Sequence, residues 1–340
     1  MTGREAVVRS LPINSPPASV SAAQGNRWGV ILADGDGTRL QRLTRLVCGD
    51  DRPKQFCPLV GNDTLLEQTR RRTELSIPRD QILFPLTRSH RFFYLQESGI
   101  RPSQRLIQPT NRGTAPSIVY SLLSIQQQNP EAIVAVLPCD HHYSDEQTFT
   151  AALETAFHIA GQCPDSMVLL GAPPLGPHVE YGWIELGPSA DGMPDEALQV
   201  RALFEQPSFH VARQLFERGA LWNTFVMVGH VRAILETADL ALRGMVETIR
   251  KSSLWAGSEI HIQDSLYERI DHVDFSQGVL SLHTRRLIAL RLGAIGWNDL
   301  ERPERVMAAL EGAGLYPSWM RQWKRAEVAV AGSHSQAAVA

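Results

Sequence analysis

At 340 residues, and at about 150 residues per domain, the chain has room for one large domain or two smaller ones. Its 33 basic and 36 acidic residues leave a formal net charge of −3, which excludes a nucleic-acid binder working through bulk positive charge. An apolar share of 43% and a charged share of 20% suit a chain that fills a globular core. No apolar run is long enough for a transmembrane helix, and the start lacks the apolar region of a secretory signal. The cysteines, Cys48, Cys57, Cys139 and Cys163, show neither CxxC spacing nor zinc-ligand pairing with histidine, so reduced thiols in a cytoplasmic protein are expected.

Residues 1–26 are rich in Ser, Pro, Ala and Asn without periodicity and read as a mobile tail. WGVILA at 28–33 is a continuous apolar run closed by a glycine-rich turn at 34–37, the pattern of a strand buried on both faces. The basic run Arg70-Arg71-Arg72 reads as a solvated helix face. Thr114 is placed to cap a helix whose Ile118, Val119, Leu122 and Leu123 share one side. EAIVAVLP (131–138) reads as a second buried strand. Phe149, Ala152, Leu153, Ala156, Phe157 and Ala160 then mark an amphipathic helix over 144–160, followed by a strand at SMVLLG (166–171). Ala212, Leu215 and Phe216 form a third helical stripe with Gly219 as its stop, and WNTFVMVG (222–229) is a further strand. The ending AVAGSHSQAAVA reads as a second tail. Strand–helix alternation implies a mostly parallel sheet covered by helices, with the ligand crevice outside the carboxyl ends of the strands.

The loop after the first strand is Asp34-Gly35-Asp36-Gly37-Thr38-Arg39-Leu40. Glycines let backbone N–H groups approach an anion, and Arg39 can bridge two phosphate oxygens. Leu40 stands where a dinucleotide fingerprint needs its third glycine, and no Gly-Lys-Ser/Thr follows, so neither of those phosphate loops is present. Alone, the loop also reads as a plain strand-to-helix turn. A dozen residues later comes Arg52-Pro53-Lys54-Gln55-Phe56, where a proline fixes a basic pair beside an apolar anchor. The two segments together are far more specific than either.

LADGDGTRL followed by RPKQF resembles the signature of the sugar-nucleotidyltransferase family, L-A-G-G-x-G-T-R-L then K-P-K, and the Gln-Phe ending is similar to its mannose-1-phosphate guanylyltransferase branch. QPTNRGTAPSI (108–118), LPCDHH (137–142), EYGWIE (180–185), FEQPS (204–208), GALWNTFVMV (219–228) and WNDLERPERV (297–306) resemble further segments of that branch, in family order. The resemblance implies a Rossmann-like layered α/β/α domain with a central mixed, mostly parallel sheet over 27–310. A smaller C-terminal lobe is expected from about 230, and a C-terminal helix and tail over 311–340. Neither the β-helix nor the cupin-type isomerase that some relatives append is expected. It also implies transfer of a nucleotide from a nucleoside triphosphate, GTP in this branch, to a sugar-1-phosphate, mannose-1-phosphate in this branch, with release of pyrophosphate. Gly35, Gly37 and Thr38 would cradle the triphosphate, and Arg39 and Lys54 would neutralise it. Arg112, Gly113 and Thr114 would face the purine. Gly182, Glu205, Gln206 and Asn223 would take the sugar phosphate, Asn223 with a structural role also open. Asp140 and Asp299 would hold Mg²⁺, with capping of the next helix as the plainer role for Asp140. His141 would pack near the nucleotide, and zinc ligation by His141 and His142 is not expected. No nucleic acid or membrane partner is implied, and oligomeric state is left open, a homodimer being compatible.

Three departures stand out. Asp34 replaces a small residue and would repel a triphosphate unless its carboxylate is turned away. Gln206 replaces the lysine that grips the sugar phosphate in the family. Glu301-Arg302 replaces Gly-Thr after the second aspartate, and Arg302 is expected to supply the charge that Gln206 lacks. The competing expectation is a relative with an impaired site that binds nucleotide or nucleotide-sugar and regulates a partner.

Overall fold

The structure is a computed structural model that describes residues 25–190, 192–256 and 259–337. Of the tail expected over 1–26, residues 1–24 lie outside the described part. Asn26 is tied down by the backbone N–H of Ile133. The first strand, β1 (Arg27–Leu32), is flanked on both sides by parallel neighbours, β2 (Ile82–Thr87) and β4 (Ile133–Pro138). Its side chains alternate between two cores. Ile31 packs with Ala135 and Leu137 on one face, and Val30 and Leu32 with Val134 and Val136 on the other. A strand covered on both faces needs this unbroken apolar run.

Helix α1 (Gln41–Cys48) follows the glycine loop, and α2 (Leu65–Thr73) precedes β2. Strand β3 (Arg105–Gln108) leads into α3 (Thr114–Gln128), which packs on the face of Val30 and Leu32. After β4, α4 (Glu146–Gln162) covers the opposite face through Phe149, Leu153 and Phe157. Strands β5 (Met167–Ala172), β6 (Gly182–Ser189), β7 (Ala197–Glu205) and β8 (Leu221–His230) follow, with α5 (Phe209–Glu217) between the last two. Helix α6 (Val231–Ser252) packs beside α3, β9 (Ser253–Ala256) and β10 (Glu259–Ile262) form an edge, and β11 (Leu287–Arg291) returns to the centre. Helices α7 (Pro303–Gly312) and α8 (Ser318–Ala337) close the chain.

The sheet order is β5-β11-β7-β6-β8-β4-β1-β2-β3-β10-β9, with β5 also pairing β8. Among the described residues the pairs β1–β2, β1–β4, β2–β3, β3–β10 and β5–β11 are parallel. The pairs β4–β8, β5–β8, β6–β7, β6–β8, β7–β11 and β9–β10 are antiparallel. The sheet is therefore mixed, and only the half around β1 is mostly parallel. The described strands beyond 230 join this same sheet. Strand β10 extends the parallel half beside β3, and β11 lies between β5 and β7. What the C-terminus does add is a third small core, in which Val306, Met307, Leu310, Met320 and Trp323 pack on Leu40 and Leu43 of the first loop and helix.

Four local expectations change. Thr114 opens α3 but does not cap it; Gly113 holds that position, and the Thr114 hydroxyl turns to Asp274. Arg70 and Arg72 are buried, leaving only Arg71 in solvent: Arg70 is gripped by Glu67 and Glu74, and Arg72 stacks over Tyr143 and Phe149. In α5, Ala212 and Leu215 are buried but Phe216 is 39% exposed, and Gly219 ends the helix with φ 74° as expected. The terminal AVAGSHSQAAVA is helical as far as Ala337. Among the described residues no helix is long and apolar enough to cross a membrane. All four cysteines are free, with the Cys48 and Cys57 sulfurs 2.9 Å apart.

Candidate active site

The carboxyl ends of β1 and β4 open onto a cavity of about 160 Å³ lined by Gly35, Gly37, Thr38, Arg39, Leu40, Lys54, Gln55, Asp140 and Glu301. Gly37 adopts φ 59°, and a Cβ there would lie 2.9 Å from the backbone nitrogen of Lys54, so the glycine loop and the lysine turn touch backbone to backbone. Gln55 locks the two together, donating its side-chain N–H to the carbonyls of Ala33 (3.1 Å) and Gly35 (2.7 Å). Phe56 anchors the turn, stacked on Phe93 and buried. Arg52 is turned away from the cavity onto Asp50.

Lys54 is buried, yet its ammonium is surrounded by acceptors. Nζ lies 2.5 Å from Glu301 Oε1 and 3.2 Å from Asp140 Oδ2, and donates to the Asp299 carbonyl at 3.2 Å. Burial works against its charge, but Asp140 and Glu301 outweigh that and hold its pKa above the ordinary lysine value. Arg39 is exposed and reaches the other oxygen of Glu301 at 3.2 Å.

Segments about 160 residues apart are brought together by a single antiparallel bridge, His142 to Asn298, with backbone hydrogen bonds of 2.8 and 2.9 Å. Helix α2 supports the Asp140 side: Thr69 donates to the Cys139 carbonyl and Arg72 to that of His141. Asp145, not Asp140, caps α4, which leaves Asp140 free to face the cavity. His141 packs edge-on against Trp297 and accepts its indole N–H; burial depresses its pKa.

The Asp299 carboxylate is paired with an arginine. Arg305 Nη1 lies 2.6 and 2.5 Å from its two oxygens, and the Glu301 N–H donates to Oδ1. Only its backbone carbonyl reaches Lys54. As the side chains stand, Asp140 and Asp299 do not fit a shared divalent cation, since an arginine already neutralises the second carboxylate. Among the described residues no group of three or more His, Cys, Asp or Glu gathers at metal-holding distance, at His141 and His142 or elsewhere.

Asp34 is buried with its carboxyl turned away from the cavity residues. It accepts from Ser117 and Gln108, and Gln108 is itself held by Tyr267 at 2.6 Å. Burial raises its pKa, against the lowering by the Ser117 and Gln108 hydrogen bonds. In the 111–116 loop, Gly113 (φ 84°) lies against the Val273 carbonyl, Arg112 accepts from the Val273 N–H, and Thr114 is held by Asp274 and Phe275. Thr114 is thus committed to the 272–276 segment, a partner that no sequence motif announces.

Gly182 and Glu205 face each other across β6 and β7, and a Cβ on Gly182 would meet the Glu205 carboxylate at 2.8 Å. Glu205 is hydrogen-bonded by Ser276 and Asn223 and lies near Asp274; burial first, and then Asp274, push its pKa to about 7. Asn223 also accepts from the Phe225 N–H at 3.0 Å, supporting the φ of 61° there. Both roles considered for Asn223 are therefore compatible. Because Glu205 ionises later in the folded state than in the unfolded chain, stability falls as pH rises from about 4.5 to 7 and is level above. Glu205→Gln is expected to gain on the order of 2 kcal/mol over the wild type between pH 5 and pH 8. Denaturant titrations at the two pH values check this, and equal shifts of both proteins would contradict it.

Beside the first cavity lies a second, of about 310 Å³, lined by Arg39, Val179, Glu180, Gln206, Pro207, Glu301, Arg302 and Arg305. Arg302 and Arg305 both pair with Glu180, and Arg305 stacks on Tyr181 at 4.0 Å. Gln206, at φ 45°, and Arg302 share this cavity, as their motif positions lead one to expect. Arg305 and Glu180 lie within the quoted motifs, but the sequence alone gives neither of them a role.

The sequence pattern of the nucleotidyl transferase family matches residues 28–251. The chain is 29% identical over 282 residues to the xanthan biosynthesis protein XanB of Xanthomonas campestris, covering 80% of this chain and 56% of that protein. It is 26% identical over 283 residues to a mannose-1-phosphate guanylyltransferase of Escherichia coli, covering 80% and 59%. The chain thus spans just over half the length of these curated relatives. Among solved structures it resembles a mannose-1-phosphate geranyltransferase, so named, from Thermus thermophilus, with a TM-score of 0.70, 26% identity, and coverage of 83% and 79%. A glucose-1-phosphate thymidylyltransferase structure from Bacillus anthracis, at 13% identity and a TM-score of 0.52, shares the fold. With two thirds of its length inside that pattern and its glycine turn, Lys54 and Asp140 lining one cavity, the chain belongs to the nucleotidyl transferase family.

Proposed function

We propose that the chain joins GTP to mannose-1-phosphate, giving a nucleotide-sugar and pyrophosphate. The observation that carries this reading is the pair of adjoining cavities, one formed by a glycine turn with Arg39 and Lys54, the other by Gln206, Arg302 and Arg305, with Glu301 as their common wall. The choice of guanine and mannose rests on the names of the relatives.

The reaction must bring two anions together. A sugar-phosphate oxygen attacks the α-phosphorus in line, the bond to the β-phosphate oxygen breaks, and pyrophosphate leaves with its electrons. Catalysis is then mostly positioning and charge neutralisation. In this reading Gly35, Gly37 and Thr38 offer backbone N–H groups to the triphosphate, and Arg39 and Lys54 balance the charge growing on the leaving group. Arg112 and Gly113 border the base, with Thr114 holding that loop in place. Gly182, Glu205 and Asn223 take sugar hydroxyls. The family generally uses a divalent metal; in this chain Arg305 occupies the Asp299 carboxylate, and Asp140 faces the cavity. We place the activity in residues 27–310 of a cytoplasmic protein.

Arg302 would offset the loss of a lysine at Gln206. Arg302→Ala is expected to raise the KM for the sugar phosphate about tenfold, the worth of one charged hydrogen bond. Steady-state kinetics with the sugar phosphate varied check this, and an unchanged KM removes that role.

A second reading, binding without turnover, is favoured by the clamp of Arg305 on Asp299. Pyrophosphate release separates the two. The purified protein is incubated with Mg²⁺, each of the four nucleoside triphosphates and a panel of sugar-1-phosphates. Release with GTP and mannose-1-phosphate supports transfer, whereas tight nucleotide binding with no pyrophosphate from any pair supports the second reading.

A further inference from the structure

Glu301 replaces a glycine of the family pattern, and its carboxylate spans the two cations that the reading above assigns to the triphosphate. One oxygen lies 2.5 Å from Lys54 Nζ and the other 3.2 Å from Arg39 Nη1. A carboxylate with one oxygen on each of two cations reproduces the bridging contact of a phosphate group. The same side chain, with Arg39, lines both cavities. Its backbone is fixed, since the Glu301 N–H is held by Asp299 and the preceding Leu300 is buried at φ 48°. The side chain itself is 37% exposed.

We propose that Glu301 is an internal competitor for the triphosphate: its carboxylate occupies the anion position between Arg39 and Lys54, and nucleotide must displace it. Displacement does two things at once. It frees both cations for phosphate oxygens, and it takes away one of the two side chains shared by the nucleotide cavity and the one holding Gln206, Arg302 and Arg305. The other charged groups facing it fit this exchange. Asp140 stays on Lys54, so the ammonium is never left without a counter-charge, and Glu180 already satisfies Arg302 and Arg305. A side chain that closes the site nine-tenths of the time weakens ligand binding about tenfold.

This inference rests on the proposed nucleotide site, and its test is chosen to fail separately. Binding of inorganic tripolyphosphate and of GTP is measured by calorimetry for the wild type, Glu301→Gln and Glu301→Ala, each with and without Mg²⁺, with thermal melts confirming folded protein. Glu301→Gln keeps the size and removes the charge. Both variants are expected to bind tripolyphosphate about tenfold more tightly than the wild type, with or without the metal, and to show a lower KM for GTP. Unchanged or weaker binding in both variants overturns the proposal, and so does weakening confined to Mg²⁺, which would make Glu301 a cation holder. If the variants tighten as expected while no protein releases pyrophosphate, the competitor stands and the transferase reading fails. If the wild type turns over and the variants do not tighten, the competitor alone fails.

Discussion

Lys54→Met is expected to lower the rate of nucleotide transfer by at least about a thousandfold, the scale on which a preorganised charge at a developing anion acts. The reason lies in the environment of Nζ. It is held by Asp140, Glu301 and the Asp299 carbonyl, and the lysine side chain is buried. Methionine matches the lysine stem but leaves Asp140 without its cation and Glu301 with the exposed Arg39 alone. The protein is expected to lose about 3 kcal/mol as well, because removing one member of a buried ion cluster leaves the others uncompensated. Lys54→Arg should not restore activity, since a planar fork cannot replace a compact ammonium among these acceptors. Rates measured well below each variant's unfolding midpoint separate the catalytic loss from the folding loss. Activity within about tenfold of the wild type would contradict the role given to Lys54.

Gly37→Ala is expected to cost about a hundredfold in kcat/KM, as misplacement of a catalytic group does. Two features compound. The residue sits at φ 59°, where an alanine is strained, and its Cβ would press at 2.9 Å on the Lys54 backbone nitrogen. Relief must come from moving either the glycine turn or the lysine turn, and both line the nucleotide cavity. Gly35→Ala provides the contrast. Nothing lies within 4 Å of where its Cβ would stand and its φ is outside the left-handed region, so the free protein should keep its stability. Nucleotide affinity should nevertheless fall, because a methyl would stand where phosphate approaches the backbone. Melting curves together with nucleotide titrations distinguish the two glycines; equal behaviour of both variants would contradict the backbone contact argued for Gly37.

The parts of this site that are legible in the sequence are those whose signal is local. The run WGVILA, the glycines after it and RPKQF lie close together along the chain, and each shows its physical constraint in residue type. Asp140 is placed by its position just past an apolar strand. The antiparallel half of the sheet is less legible. Strands β6 and β7 are partly exposed along their lengths, so they carry neither an unbroken apolar run nor a clean alternation. The state of Asp34 is not legible either, because its partners Gln108 and Ser117 lie 74 and 83 residues away.

One expectation fails for a physical cause within reach of the sequence. Arg70 reads as solvated in its basic run, although Glu67 and Glu74 stand three and four residues from it on the same helix and can neutralise it for burial. Asp299 reads as a cation ligand, and its carboxylate is paired with Arg305, six residues on. Between them lies a left-handed turn at Leu300, a conformation that leucine does not advertise. The 272–276 segment, which joins the base loop through Thr114 to Glu205 and Asn223 through Ser276, carries no motif and is visible only once folded.

The glycine turn and Lys54 are held here to grip the leaving end of a triphosphate while the α-phosphorus is transferred to a sugar phosphate. Following the phosphorus itself tests this most directly. The protein is supplied with mannose-1-phosphate and GTP labelled at the α-phosphorus in one reaction and at the γ-phosphorus in another. The expected result is that the α label appears in the nucleotide-sugar and the γ label in pyrophosphate, and that Lys54→Met abolishes both. Transfer of the γ label to the sugar, or free nucleotide with neither label moved, would contradict it.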